Sequence, residues 1–255
     1  ALWGWWHALL GRRPDEGVVV LASLAPAGDD VVPAGVSGVP EKIASIVAGP
    51  CDTIVVASAD DRREAEAALR ESGRAGEIRV LPLDPATPQA LVAVRSQLAE
   101  ELHSYYAQLA GRLDRTPWHR AGQPVPASAL AVPAHVRKSH GADLSAESAW
   151  PDEWPGLSRA VVTGAPGSGK SFLLATTALQ LVQAARAQLQ ARDAPIDELP
   201  LPVLFALADL AASAGGAELE NALLDLLGRQ HALTPRLAAW IRAQLSRPAM
   251  SSAVP

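Results

Sequence analysis

Eight residues near the middle of the chain have the types and the spacing to bind phosphate. Residues 164–171 read Gly-Ala-Pro-Gly-Ser-Gly-Lys-Ser and match the pattern G-x-x-x-x-G-K-[ST] at every fixed position. Glycines permit positive φ angles, so that successive backbone N–H groups can turn toward one phosphate group. The lysine can reach the β- and γ-phosphates, and the hydroxyl of the following serine can ligate Mg²⁺. The segment therefore predicts a nucleotide site for ATP or ADP with Mg²⁺.

The predicted cofactor-binding residues extend from the first glycine of the pattern to the residue after it. They are Gly164, Ala165, Pro166, Gly167, Ser168, Gly169, Lys170, Ser171 and Phe172. Ser171 is also the predicted metal ligand, and no catalytic residue is assigned. The alternative is a glycine-rich turn that joins a core strand to a core helix and binds nothing.

A phosphate-binding loop needs a strand before it and a helix after it, because the helix N-terminus adds free N–H donors and a favourable dipole. Residues 160–163 predict a short buried strand, and a helix is expected from about Lys170, with an Ala-, Leu- and Gln-rich run to residue 192 that favours helix. The remaining predictions are a buried strand at 201–210, a loop at Gly215 and Gly216, and helices at 218–227 and 234–245, the last with Thr234 as its cap.

The N-terminal part alternates between strand and helix patterns, which is typical of an α/β layer. Strands are predicted at 17–24, 53–57 and 78–83, and a Pro/Gly/Asp-rich connection is predicted at 26–40. Helices are predicted at 2–10, 40–49, 62–71 (capped by Asp60 and Asp61) and from Thr87 to about residue 113. Residues 116–156 contain six prolines among small and polar residues and indicate a linker. His135 and His140 in that linker have no further ligands at metal-binding spacing.

Composition narrows the classes of function. Of the 255 residues 49% are hydrophobic and 19% are charged, and the net charge of −5 gives no reason to expect a nucleic-acid partner. Cys51 is the single cysteine, which excludes an internal disulfide framework and a cysteine-based zinc site. No apolar run reaches the roughly 20 residues that a membrane span needs, and residues 2–10 lack the basic start of a signal peptide. We therefore expect a cytoplasmic protein with no membrane partner.

Four short runs in the N-terminal part lie at residues 8–14, 33–35, 38–44 and 52–56, and read ALLGRRP, PAG, GVPEKIA and DTIVV. In this order they resemble the C-terminal half of the proteolytic domain of the Lon protease family. The resemblance implies an ATP-dependent serine–lysine peptidase, but the family's catalytic lysine falls at Pro40, and Lys42 matches a second, non-catalytic lysine. Proline has no ionisable group to activate a nucleophile, so we expect an inactive Lon-like module. The alternative is an unrelated α/β layer.

The P-loop run 164–174 (GAPGSGKSFLL), the run 201–207 (LPVLFAL) and the Leu-rich helices after it resemble the NACHT family of the STAND class of signalling ATPases. Residues 105–137 look like the lead-in to such modules. The resemblance implies ATP binding, and homo-oligomerisation or an effector partner through the N-terminal module. It also requires a Mg²⁺-binding acid after a later strand. Asp209 ends the strand predicted at 201–210, which is the wrong strand for that role, and residues 248–255 are tail-like.

The sequence as a whole predicts an α/β protein in four segments: a partial Lon-like α/β domain at 1–97, a helical arm and Pro-rich linker at 98–156, the N-terminal portion of a NACHT-like P-loop NTPase at 157–247, and a tail at 248–255. The NTPase portion is expected to form the first part of a parallel sheet with flanking helices. We expect nucleotide binding with poor hydrolysis, because the acidic strand that holds Mg²⁺ and places water is not evident. The alternative function is an ATP-dependent peptidase of Lon type. A P-loop kinase is a third reading and would need an arginine-rich lid, yet residues 193–233 contain few arginines.

Overall fold

The computed structural model describes residues 13, 15–28, 30–83, 94–115, 119–120, 123–130, 135–136, 139–140, 143–144, 148–149, 161–192, 194–214 and 219–246. The strands are β1 Val18–Leu21, β2 Ser23–Ala27, β3 Asp30–Ala34, β4 Thr53–Val56, β5 Arg79–Pro82, β6 His119–Arg120, β7 Gln123–Pro124, β8 His135–Val136, β9 Ser139–His140, β10 Asp143–Leu144 and β11 Ser148–Ala149. The α-helices are α1 Val39–Ile46, α2 Ala59–Glu71, α3 Gln97–Leu113, α4 Lys170–Ala191, α5 Leu207–Ala214, α6 Leu219–Gln230 and α7 Pro235–Leu245. Short 3₁₀ helices lie at Ala127–Leu130 and Ile196–Glu198.

The chain divides into two compact units that are each discontinuous in sequence. The first unit comprises Ala1–Ser104, Ala187–Leu199 and Ala232–Pro255, and the second comprises Tyr105–Arg186 and Pro200–His231. The sequence predicts four segments that are each continuous along the chain, whereas these two units are each formed from separate stretches of it. The boundaries of the four segments stay predictions.

The first unit contains a three-stranded parallel sheet in the order β1–β4–β5, with the register Val18↔Thr53 and Ile54↔Val80. Helices α1 and α2 connect its strands, as parallel pairing requires. All four residues of the central strand β4 are buried, which agrees with its continuous apolar run and with the burial of parallel sheets on both faces. The expectation of an α/β protein is confirmed by this three-stranded parallel sheet and its flanking helices. The sequence predicts a parallel sheet in the P-loop portion at 157–247 as well, but the described residues of that portion form no strand.

Successive side chains of β4 point to opposite faces of the sheet and enter different clusters. Ile54 and Val56 join the larger cluster, to which α1 and α2 contribute Val39, Ile43, Ala65 and Leu69. Val55 packs on the other face with Val18 and Leu83. The helices predicted at 40–49 and 62–71 are thus formed, and their apolar faces cover one side of the sheet.

Two predictions for this unit were wrong in detail. The predicted connection 26–40 contains the second half of an antiparallel hairpin, in which β2 pairs with β3 and Ser23 opposes Ala34. The N-cap of α2 is Ser58, whose Oγ accepts from the N–H of Asp61 at 3.0 Å, so the predicted caps Asp60 and Asp61 lie inside the first turn. Two carboxylates in a first turn still favour the helix through its dipole.

The N-terminus of α3 is held by two acids from other parts of the first unit, the buried Asp52 and the half-buried Asp15. Asp52 lies before β4 and accepts from the N–H groups of Gln97 and Leu98, both at 2.8 Å. Asp15 accepts from the N–H of Ser96 at 2.9 Å, and the Ser96 hydroxyl accepts from the N–H of Ala99 at 3.1 Å. These bonds satisfy the orphan donors of the helix start and fix α3 to the sheet.

Helix α7 begins at the predicted cap. Thr234 Oγ1 accepts from the N–H of Leu237 at 3.1 Å and donates to Glu101 at 2.6 Å. Arg236 makes an ion pair with the same glutamate at 2.7 Å, so α7 is tied to α3 within the first unit. The helix predicted at 234–245 is confirmed.

The two strands predicted beside the phosphate loop are wrong for the part of the chain that is described. Residues 161–163 are in no strand, and Val161 is 91% exposed. Residues 201–206 are likewise unpaired, with Val203 and Leu204 exposed, and residues 207–214 form helix α5. A strand is stable only when a neighbour pairs with its N–H and C=O groups, and the Leu- and Ala-rich run of α5 favours helix intrinsically.

The predicted linker 116–156 is described only in short pieces. These are three two-residue antiparallel pairs, β6 with β7, β8 with β11 and β9 with β10, and one 3₁₀ turn. The predicted helix at 2–10, the start of the predicted helix at 87–93, the loop at Gly215 and Gly216 and the tail 248–255 lie outside the described residues.

The capping of α3 by Asp52 gives a test of this architecture. Asp52→Asn keeps the size of the side chain but turns an amide N–H toward a helix N–H, so we expect a loss of about 1–3 kcal/mol in the free energy of unfolding. Urea denaturation measures it. Asp60→Asn is the matched control, because Asp60 is exposed and pairs with Arg63 in the same helix turn. Equal losses in the two variants would contradict the role given to Asp52.

Candidate functional site

The loop before α4 has the backbone conformation that its glycines make possible. Gly167 and Gly169 have φ angles of +77° and +82°, a region that other residues rarely adopt. The N–H of Ser168 donates to the Ala165 carbonyl at 3.2 Å and closes a turn, and α4 begins at Lys170. Backbone that alternates between right- and left-handed residues turns its N–H groups inward and forms a concave anion site.

Residues 164–169 are exposed, as is Ser171, while Lys170 and Phe172 are half-buried. The loop is therefore open to a ligand. The first turn of α4 adds N–H groups that have no partner inside the helix, together with the positive end of the helix dipole. The predicted site residues form one continuous surface at the start of α4.

Lys170 folds back over its own loop. Its ammonium group donates to the carbonyls of Gly164 and Ala165, both at 2.8 Å, and lies 3.5 Å from the hydroxyl of Ser168. The positive charge is thus held at the mouth of the loop by neutral acceptors. Charge-assisted bonds to an anion are stronger than bonds to neutral carbonyls, so a phosphate can draw the ammonium group away from them.

The hydroxyl of Ser168 lies close to Gly164. A Cβ atom on Gly164 would lie 2.8 Å from Ser168 Oγ and 3.7 Å from Ser168 Cβ. The second distance is an ordinary contact, but the first is too short. A larger residue at position 164 would therefore make the exposed Ser168 hydroxyl rotate away from its present position.

The described residues offer limited means to hold a metal ion. The hydroxyl of Ser171 can supply one oxygen ligand, and the described part of the chain contains no group of three or more His, Cys, Asp or Glu residues arranged to bind a metal. Mg²⁺ commonly keeps several waters and takes only one or two protein ligands beside the phosphates of its nucleotide. The site fits Mg²⁺ that arrives with a nucleotide, with Ser171 as its protein ligand.

Asp209 does not end a strand. It lies exposed in the first turn of α5, where its charge favours the helix through the dipole. The strand predicted at 201–210, which Asp209 was expected to end, is not formed.

Two features of the site could not be found from the sequence pattern. The pattern names Gly164 and Lys170, but it says nothing of the acceptors that hold the lysine or of the contact between Gly164 and Ser168. The invariant first glycine of the pattern is the one available signal, because glycine at a fixed position often marks a close approach of backbone.

No family model, no curated protein and no solved structure matches this chain. The assignments to the NACHT and Lon-like families stay predictions, and the geometry of residues 164–172 is the basis for a proposed function. Within the ranges that the structure describes, no helix is long and apolar enough to cross a membrane.

The contact between Gly164 and Ser168 predicts a rescue. Gly164→Ala should displace the Ser168 hydroxyl and weaken the binding of a fluorescent ADP analogue by up to about tenfold, since an unfavourable side-chain rotamer costs about 0.5–1.5 kcal/mol and 1.4 kcal/mol is tenfold in affinity. Adding Ser168→Ala removes the clashing oxygen and should restore most of the affinity. Ser168→Ala alone is the control and should bind nearly as the wild type does. A double variant as weak as Gly164→Ala would show that the close approach is not what limits position 164.

Proposed function

We propose that residues 164–172 bind the phosphate chain of ATP or ADP, and that the chain is the nucleotide-binding portion of a NACHT-type signalling ATPase. The observation that carries this proposal is the pair of left-handed glycines, Gly167 and Gly169, directly before a 22-residue helix whose first residue is Lys170. A plain turn between core elements has no need of two left-handed residues, an exposed backbone and a lysine at the helix start together.

On nucleotide binding, the ammonium group of Lys170 would exchange its carbonyl acceptors for phosphate oxygens. The phosphate enters beside the N–H groups of the loop and of the first turn of α4, where the dipole favours negative charge. Lys170 then leaves the carbonyls of Gly164 and Ala165 and donates to phosphate oxygens. Bonds to an anion replace bonds to neutral groups, so the exchange favours the bound state.

Mg²⁺ would be held mainly through the nucleotide, with Ser171 as its protein ligand. Efficient hydrolysis needs in addition an acidic residue that completes the metal site and a group that orients water. Asp209 is exposed on α5 and is not assigned either role. We therefore propose a nucleotide switch, in which occupancy shifts a conformational equilibrium, rather than a fast ATPase.

Residues 1–97 are proposed to be a Lon-like module without peptidase activity, which serves homo-oligomerisation or an effector partner. Pro40 lies in the first turn of α1, where the family's catalytic lysine would fall. The ammonium group of Lys42 donates to the backbone carbonyl of Ser37. Its bond goes to a carbonyl, and Pro40 offers no amine to deprotonate a serine, which supports an interaction module over a peptidase.

Lys170→Ala tests nucleotide binding directly. The variant loses a charge-assisted contact of roughly 1.5–3 kcal/mol, so we expect ADP affinity to fall at least about tenfold in isothermal titration. Lys42→Ala is the matched control, since it also removes one lysine but lies in α1 of the first unit, and it should bind as the wild type does. The same affinity in wild type and Lys170→Ala would refute the phosphate-loop assignment.

Steady-state phosphate release tests the second part of the proposal. We expect turnover well below about 1 per second, the lower end of the usual enzyme range. Asp209→Asn should leave that low rate unchanged. A rate above this limit that is lost in both Lys170→Ala and Asp209→Asn would mean that Asp209 completes a hydrolytic site.

A further inference from the structure

A guanidinium group of α3 holds the end of α6 within the second unit. Arg112 Nη1 lies 3.1 Å from His231 Nε2, and Arg112 Nη2 donates to Gln230 Oε1 at 3.1 Å. Gln230 is the last residue of α6, and the N–H of His231 still donates to the Leu227 carbonyl at 2.8 Å. We call Arg112, Gln230 and His231 the clasp.

The clasp fixes the protonation state of its histidine. A guanidinium group has five N–H donors and no acceptor, so a hydrogen bond to His231 Nε2 requires that this nitrogen be unprotonated. The ring is therefore neutral, with its proton on Nδ1. Nδ1 is buried and has no partner among the described residues, and the ring is only 5% exposed.

The surroundings of the ring disfavour a second proton. The ring packs edge-on against Tyr105 of α3, with centroids 4.9 Å apart. Burial raises the pKa of Tyr105 to about 12, so that its phenol brings no negative charge, and Gln230 of α6 is neutral. Arg112 is the charged group that faces the ring in the described part of the unit. Burial first, and then the Arg112 charge, lower the pKa of His231 below its ordinary value of 6.5.

We propose that the clasp is a pH-sensitive switch, in which protonation of His231 releases the end of α6 from α3. A proton on Nε2 would place an N–H donor of His231 against the N–H donors of Arg112, and a positively charged ring against the positively charged guanidinium group. The closed clasp therefore excludes the protonated form of His231. The closed state then binds fewer protons than the open one. Its stability is fully present above 6.5 and is lost as the pH falls below that value toward the closed-state pKa.

Hydrogen exchange of the full chain tests the switch. The amides of residues 228–231 should be protected at about pH 7.5, and their protection factor, corrected for the intrinsic rate, should fall by about pH 5.5. The opening equilibrium should rise about tenfold for each pH unit between the open and closed midpoints. His231→Gln keeps an acceptor that never protonates, so its protection factor should not change with pH. His103→Gln is the matched control on α3 and should keep the wild-type dependence.

A pH dependence that is the same in wild type and His231→Gln would overturn the proposal. Should His231→Gln fail to fold, an NMR titration of the wild-type histidine ring decides the matter. A midpoint below 6.5, with shifts of the Gln230 and His231 amides at the same midpoint, is expected. A midpoint at or above 6.5, or amides that do not respond, would show that the clasp does not exclude the proton.

Discussion

The N–H groups at the start of a helix have no acceptor within the helix and need one from elsewhere. The groups that meet this need differ among the helices of this chain, and they separate helix starts that stabilise the fold from the one proposed to bind a ligand. Ser58 caps α2, Asp52 and Ser96 cap α3, and Thr234 caps α7. Helix α1 begins after the left-handed Gly38 and has no side-chain cap, and its Lys42 donates to the Ser37 carbonyl. At α4 two left-handed glycines precede the helix, the loop residues 164–169 are exposed, and Lys170 donates to carbonyls of that loop. The proposed function depends on this combination in a segment whose spacing matches the phosphate-loop pattern.

Short sequence patterns predicted two kinds of element correctly. These are helices stabilised mainly by residues close to each other in sequence, and a buried strand that is marked by a continuous apolar run. The apolar run of β4, the helices α1 and α2 and the Thr234 cap of α7 all follow from residue type and spacing. The strands predicted at 160–163 and 201–210 failed, because a strand depends on neighbours that a sequence pattern does not show. The predicted strands would bury the apolar residues Val161 and Val203, and both are exposed.

The same distinction holds for the sites. A spacing pattern could name Gly164 and Lys170, since the chemistry of phosphate binding is encoded in one continuous segment. It could not show that Ser168 Oγ sits against Gly164, or that Arg112 reaches His231 across more than a hundred residues. Side-chain bonds between distant elements carry no sequence signal. The phosphate loop of the second unit can therefore be predicted from the sequence, whereas the clasp can be recognised only from the folded structure.

The central claim is that the loop before α4 receives the phosphates of a nucleotide, and the backbone amides of that loop report on it most directly. Amide ¹H–¹⁵N spectra of the full chain would be titrated with ADP and, as the matched control, with adenosine. The account predicts that ADP shifts the amides of Gly167, Gly169, Lys170 and Ser171 first and most, because their N–H groups would donate to phosphate, and that adenosine leaves them in place. Amides in this loop that do not respond to ADP, or that respond equally to adenosine, would contradict it.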